Sequence, residues 1–274
     1  MLMHRLKILI VCLLAAVACA ATLAAQAKKP APARTAPAKP AAAPKAARVA
    51  QAVPFAVGET LTYDISWSSY LTAGTATMSV KEKKPSYGSD AYYVVAEGRP
   101  TPLLSKLYDL YYKADSLLDI YTLLPQRGSI YSEEGKRHRM KVTLFDQAKR
   151  RAQYEVQTRT VVKKDFAIAP YSQDALGAIY VLRAIPLKQG DTFSMPVCDG
   201  GESYKVQVTV GGVETVKTGI GDVRAWRITP VLPASQQTRK LTIWISDDAR
   251  KLPVRMQAQL AVGSFDLTLK SVGR

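Results

Sequence analysis

Histidine is nearly absent from this 274-residue chain: only His4 and His138 occur. Three or four closely spaced nitrogen and sulfur ligands, the usual zinc set, cannot be drawn from so few. Cysteine is almost as scarce. Cys12 and Cys19 fall in the first apolar stretch, so Cys198 is left downstream without an internal disulfide partner. Its setting, Met195-Pro196-Val197-Cys198-Asp199-Gly200-Gly201, places an acid beside the thiol rather than the cation or base that would activate it. A small, mostly buried strand residue near a turn is expected there. Neither a G-x-S-x-G elbow nor a Gly-rich loop running into a helix occurs, which removes the usual serine-hydrolase and nucleotide-phosphate signatures.

Acid is missing from one end. The first 54 residues hold eight of the 38 Lys and Arg and none of the 22 Asp and Glu, so about half of the formal +16 charge belongs to that segment. Residues 1–27 have the build of a secretory signal: a basic start at Arg5 and Lys7, an apolar run from Ile8, and a small-residue end at Ala25-Gln26-Ala27. Two other readings stay open. Ala16-Val17-Ala18-Cys19 is a degenerate lipobox that would give a lipid-bearing Cys19, and an uncleaved Ile8–Ala25 would be just long enough to anchor in a bilayer core of about 30 Å. Each puts the rest of the chain in the periplasm, where anionic lipids and glycans replace nucleic acid as partners of a basic protein. Residues 28–54 contain eleven Ala, six Pro and six Lys or Arg, a semi-stiff linker with no material for a core.

From residue 55 the apolar period is two. Leu61-Thr62-Tyr63-Asp64-Ile65-Ser66-Trp67 alternates without a break, and Thr75–Lys81 and Tyr92–Glu97 follow, with Pro85-Ser86-Tyr87-Gly88 turning between the latter two. Ten further strands are predicted: Leu110–Asp115, Gln126–Ser132, Arg137–Phe145, Arg151–Thr158, Thr192–Val197, Tyr204–Val210, Arg224–Val231, Arg239–Ser246, Val254–Leu260 and Phe265–Ser271, with turns that include Ala73-Gly74 and Gly211-Gly212. No long helix alternates with them, which argues against a parallel α/β sheet. Two helices interrupt the pattern. Thr101-Pro102 opens a short one, and Ser172-Gln173-Asp174 opens the main one over Ala175–Arg183, with Ser172 as N-cap, an acid in the first turn and Arg183 near the end. The expected fold is mainly β: a large curved antiparallel sheet, or unclosed β-barrel, wrapped around one main α-helix with a short second helix, in a single domain over 55–274.

Chemistry has few places to reside. His138 lies in Lys136-Arg137-His138-Arg139-Met140-Lys141, where cations flank the ring without orienting it, and the acid pairs Glu133-Glu134 and Asp247-Asp248 fall at turns. Neither arrangement makes a catalytic or metal set, so no catalytic residue and no cofactor are expected. Alternation places Arg137, Arg139 and Lys141 on one strand face, either as a stripe for carboxylate or phosphate head groups or as a solvated face. Lys149, Arg150 and Arg151 would join them if the two strands form a hairpin. Tyr108, Tyr111, Tyr112 and Tyr121, interleaved with leucines, offer either a pocket wall on the concave side or ordinary core.

The opening Val57-Gly58-Glu59-Thr60-Leu61, the helix Asp174–Arg183, Gly190-Asp191, and Thr242–Asp248 followed by Leu252-Pro253-Val254-Arg255 resemble, in order and spacing, the exported bacterial domain-of-unknown-function family of the DUF-3108 type. The resemblance spans nearly all of 55–272. It implies export and no assigned activity, and it transfers no catalytic residue. The resulting expectation is a non-enzymatic periplasmic protein that binds an apolar or amphiphilic envelope ligand, a lipid, lipoprotein or glycan, through Tyr108, Tyr111, Tyr112, Arg137, Arg139 and Lys141. The alternatives are an envelope scaffolding protein, with the 28–54 arm as its reach, and a hydrolase with an unrecognised site.

Overall fold

The computed structural model describes residues 48–67, 71–107, 109–232, 240–260 and 263–274; the signal, Cys19 and most of the linker lie outside them. Fourteen strands follow in chain order: Thr60–Trp67 (β1), Leu71–Ser86 (β2), Ser89–Pro100 (β3), Leu110–Asp119 (β4), Pro125–Glu134 (β5), Arg137–Asp146 (β6), Arg151–Gln157 (β7), Val161–Ala167 (β8), Thr192–Asp199 (β9), Glu202–Thr218 (β10), Gly221–Val231 (β11), Lys240–Ser246 (β12), Pro253–Leu260 (β13) and Gly263–Gly273 (β14). Pro102–Leu107 (α1) and Ala175–Ala184 (α2) are the helices. All fourteen strands join one antiparallel sheet in the order β8 to β1 and then β14 to β9, so the chain ends pair through β1 and β14. The curved antiparallel sheet with one main helix is therefore as expected.

Thirteen of these strands lie where the sequence predicted them. The one that was missed, β8, is exposed at every position but Phe166, so no apolar face marks it. Two expected turns are also revised. Gly211-Gly212 is no turn but a bulge inside β10, where pairing with β11 slips between Val210 and Val213, and Ala73-Gly74 lies within β2. The turn at Tyr87-Gly88 forms as expected: both residues have positive φ, the combination a two-residue hairpin requires. Before β1, Gln51 N–H donates to the Ile120 carbonyl and Val53 packs on the core, so docking starts a few residues ahead of the linker's end.

The two free edges of the sheet overlap rather than pair. The inner faces of β6–β8 supply Phe145, Ala152 and Phe166, which with Ile168 cover Cys198 on the outer side of β9 in a small second core. Just before α2 the backbone is stitched to β9: Gln173 N–H donates to the Pro196 carbonyl, and Cys198 N–H donates to the Gln173 carbonyl. The chain thus rolls into a scroll with the helix inside. Thr101 caps α1 through a bond from Leu104 N–H to its Oγ1. The N-cap of α2 is Asp174, not Ser172: Asp174 has extended backbone (φ −87°, ψ 170°) and accepts from Gly177 N–H at 2.6 Å, whereas the Ser172 hydroxyl turns back to the Ala169 carbonyl.

One end of the scroll is solid. There α2 delivers Arg183, whose side chain has no exposed surface, to Glu59 in the stretch ahead of β1, through bonds of 2.6 and 2.9 Å from its two terminal nitrogens. The guanidinium also donates to the Lys251 and Arg250 carbonyls, and the rings of Phe55 and Tyr180 lie 5.2 and 5.5 Å from it. Leu61, Tyr63, Leu252 and Leu269 are likewise fully or almost fully buried. Removing one partner leaves an uncompensated buried charge, worth about 3–5 kcal/mol, whereas replacing the pair by matched apolar groups can be near neutral. Arg183→Met and Glu59→Leu should each lower the urea midpoint strongly, and the double variant should recover much of the loss. Additive losses in equilibrium unfolding would contradict a coupled pair.

Candidate functional site

The opposite end of the scroll is hollow. Between α2 and the surrounding strands lies a partly enclosed cavity of about 280 Å³, and its walls are chiefly apolar: Ile65, Met78, Ile179, Met195, Ile243 and Phe265 represent strands on every side and the helix. Side chains that alternate inward on successive strands make such a wall without any local sequence motif. Among the described residues the methionines are Met78, Met140, Met195 and Met256, and three of the four, all but Met140, line the cavity. Unbranched, polarizable side chains of this kind adapt to ligand shape.

A strip of polar groups enters from β6, β7, β9 and the start of α2. Lys141, Thr143, Tyr154, Asp174 and Asp199 all line the cavity. Lys141 is only 7% exposed, and burial pulls its ammonium below the usual range; Arg139 pushes the same way, and the Asp199 and Glu134 carboxylates pull it back. Burial likewise raises the Tyr154 hydroxyl to about 12, with help from Asp199 and opposition from Arg139. Asp174 is held by the Ser116 hydroxyl at 2.6 Å and by Gly177 N–H, yet burial outweighs both and lifts its carboxyl to about 6. Gly128 is what lets it sit there, because a Cβ at that position would come 2.7 Å from the Asp174 Oδ2.

Of the six residues expected at the site, three lie along the inner face of β6 in order of depth. Arg137 is exposed, Arg139 half-buried and Lys141 buried. Tyr112 also points inward, fully buried, with its hydroxyl donating to Glu134 at 2.8 Å. Tyr111 faces the outside: its hydroxyl donates to Glu97, and the Arg99 guanidinium stacks 4.3 Å from its ring. Tyr108 lies outside the described residues. The Asp146–Arg151 turn is at the far end of the β6–β7 hairpin, five or more residues from Lys141 at about 3.3 Å each, so Lys149, Arg150 and Arg151 do not extend the stripe. Tyr121 sits at the closed end, where Arg48 lies 5.8 Å above its ring.

His138 belongs to the outer surface, 60% exposed, with the Tyr131 hydroxyl 3.3 Å from its Nδ1. Cys198 is buried as expected, and burial raises its thiol further, so it stays protonated. Tyr154, Asp174 and Asp199 were not foreseen at the site. Asp174 had a signal, the cap position of an apolar helix, but the other two reach the cavity only through the overlap of the sheet edges.

The raised Asp174 carboxyl makes a signed prediction. Below about pH 4 it is protonated folded and unfolded; between about pH 4 and 6 the folded state keeps a proton that an ordinary aspartate, at about 3.9, has released. Its stabilising share is therefore complete at low pH and lost as pH rises through about 6. Asn caps a helix as well as Asp, so the melting temperature of wild type minus that of Asp174→Asn should fall between pH 4 and 7. A constant difference across that range would refute the buried, uncompensated state.

Comparison with known proteins agrees on architecture. No curated protein matches the chain. A β-barrel-like protein of the domain of unknown function DUF1849 from Brucella abortus superposes with a TM-score of 0.53 at 10% identity, over 82% of this chain and 99% of its own, a likeness of fold alone. Weaker likenesses are to a candidate exported protein with a YmcC-like fold from Bacteroides fragilis (TM-score 0.32, 13% identity, 82% of this chain and 100% of that one) and a candidate lipoprotein from Parabacteroides distasonis (TM-score 0.34, 9% identity, 81% and 99%). With a profile match over residues 62–270, which takes in every strand but the ends of β1 and β14, the chain belongs to the family of proteins of unknown function DUF3108.

Proposed function

We propose that this is a non-enzymatic periplasmic protein that carries or senses an apolar or amphiphilic cell-envelope ligand within the scroll. The observation that carries the reading is the cavity: between α2 and the curved sheet lie about 280 Å³ of mostly apolar space. Protein cores are close-packed, and apolar volume of this size is uncommon unless something fills it. The signal-like N-terminus supports an address outside the cytoplasm, and no helix among the described residues is long and apolar enough to cross a membrane. Binding rather than catalysis is favoured by the groups around the space. Among the described residues no three of His, Cys, Asp and Glu gather as a metal set, His138 is on the other face, and the Cys198 thiol is held protonated.

Protein purified from the periplasm should release an apolar molecule on solvent extraction and show its mass in native mass spectrometry. Emptied protein should take up the neutral fluorophore N-phenyl-1-naphthylamine. Ala178 and Ala258 face the cavity from the helix and from β13, so Ala178→Phe and Ala258→Phe should each weaken uptake by about tenfold or more with the circular dichroism unchanged. Ligand-free protein that takes up no fluorophore would end the proposal.

A scaffolding role is the second reading, favoured by β8. That edge strand pairs only with β7 and exposes Val161 and Val162, 51% and 55% accessible, a form that accepts an added strand. In-cell cross-linking from position 162 should then capture an envelope protein; its failure would leave β8 as a plain edge.

A further inference from the structure

Lys141 stands out against every other group facing the cavity. Its side chain is buried, it borders apolar walls, and among the described residues its ammonium makes no hydrogen bond and no ion pair. The charged groups that act on it are Arg139, Glu134 and Asp199. Glu134 already accepts the Tyr112 hydroxyl and faces Arg137 across the β5–β6 ladder. Its ammonium therefore has the cavity as the place where water or an anion can meet it. Outward from it on the same strand face, Arg139 and Arg137 follow at alternate positions, so three cations lead from the rim to the cavity wall.

The space beside Lys141 sets the rest of the ligand. The cavity is partly open and its walls are chiefly apolar, so an alkyl tail can lie beside Lys141. Met78, Met195 and Met256 provide a lining that tolerates a flexible tail.

Resting on the ligand-binding reading above, we infer that the cavity takes an amphiphile with an anionic head, the carboxylate or phosphate set against Lys141 at the inner end of the Arg137–Arg139–Lys141 ladder and an alkyl tail among the three methionines. A lysine ammonium is a point charge that suits either head group, and Arg139 is near enough in sequence to share it.

Displacement of N-phenyl-1-naphthylamine from the full-length mature protein tests this with four probes: dodecanoate, dodecyl phosphate, dodecan-1-ol and inorganic phosphate. Wild type should bind at least one of the two anionic amphiphiles about tenfold or more tightly than the alcohol. Lys141→Met should abolish that preference while dodecan-1-ol binding stays within about twofold, and Lys141→Arg should restore it; the amphiphile that loses affinity in the methionine variant identifies the head group. If Lys141→Met keeps the preference, or wild type has none, the head-group assignment is overturned and dodecan-1-ol binding leaves the cavity reading standing. Inorganic phosphate binding as tightly as dodecyl phosphate would overturn the amphiphile. If no alkyl probe displaces the fluorophore, both readings fall together.

Discussion

The buried pairing of Arg183 with Glu59 is the constraint around which the rest is arranged. A guanidinium withdrawn from water needs its donors satisfied, and here Glu59 and the carbonyls of Arg250 and Lys251 supply the acceptors. These come from the segment before β1, the last turn of α2 and the β12–β13 turn, three regions distant in sequence. Once they meet, the helix is fixed along its axis and the place where the chain ends pair is fixed with it. Phe55 and Tyr180, packed edge-on at 4.9 Å, complete the seal.

A ten-residue helix reaches only about 15 Å. Strands of ten to seventeen residues span much more, so a helix pinned at one end by its C-terminal arginine cannot fill the scroll to the other. The cavity opens along one face of the helix, where Ala175, Ala178, Ile179 and Leu182 line it opposite the strands. Asp174 is cap and cavity wall at once, and burial raises its carboxyl despite the hydrogen bonds it accepts.

Overlap of the sheet edges does two further things. It replaces the missing β8–β9 hydrogen bonds by side-chain packing around Cys198, and it brings Tyr154 of β7 and Asp199 of β9 to the same wall as Lys141. A closed barrel would have set these strands side by side with their residues in ladder register. A scroll lays one strand over another, so groups that no pairing rule connects become neighbours.

Alternation and turn residues marked thirteen strands, and cap residues marked the two helices; β8, exposed at all but one position, left no such trace. Alternation also put Arg137, Arg139 and Lys141 on one face. Which face was inside was beyond its reach. A flanking turn or a cluster of like charges reads the same on either side of a sheet, so the tyrosine stretch looked like one wall when it is two, and a stripe that suited solvent turned out to lead inward. Ser172 and Asp174 were both chemically fit to cap α2, and only the backbone angle at Asp174 separated them. The hollow itself, the burial of Lys141 and the meeting of Arg183 with Glu59, 124 positions away, depend on contacts between residues distant in sequence, and such contacts exist only once the sheet has curled.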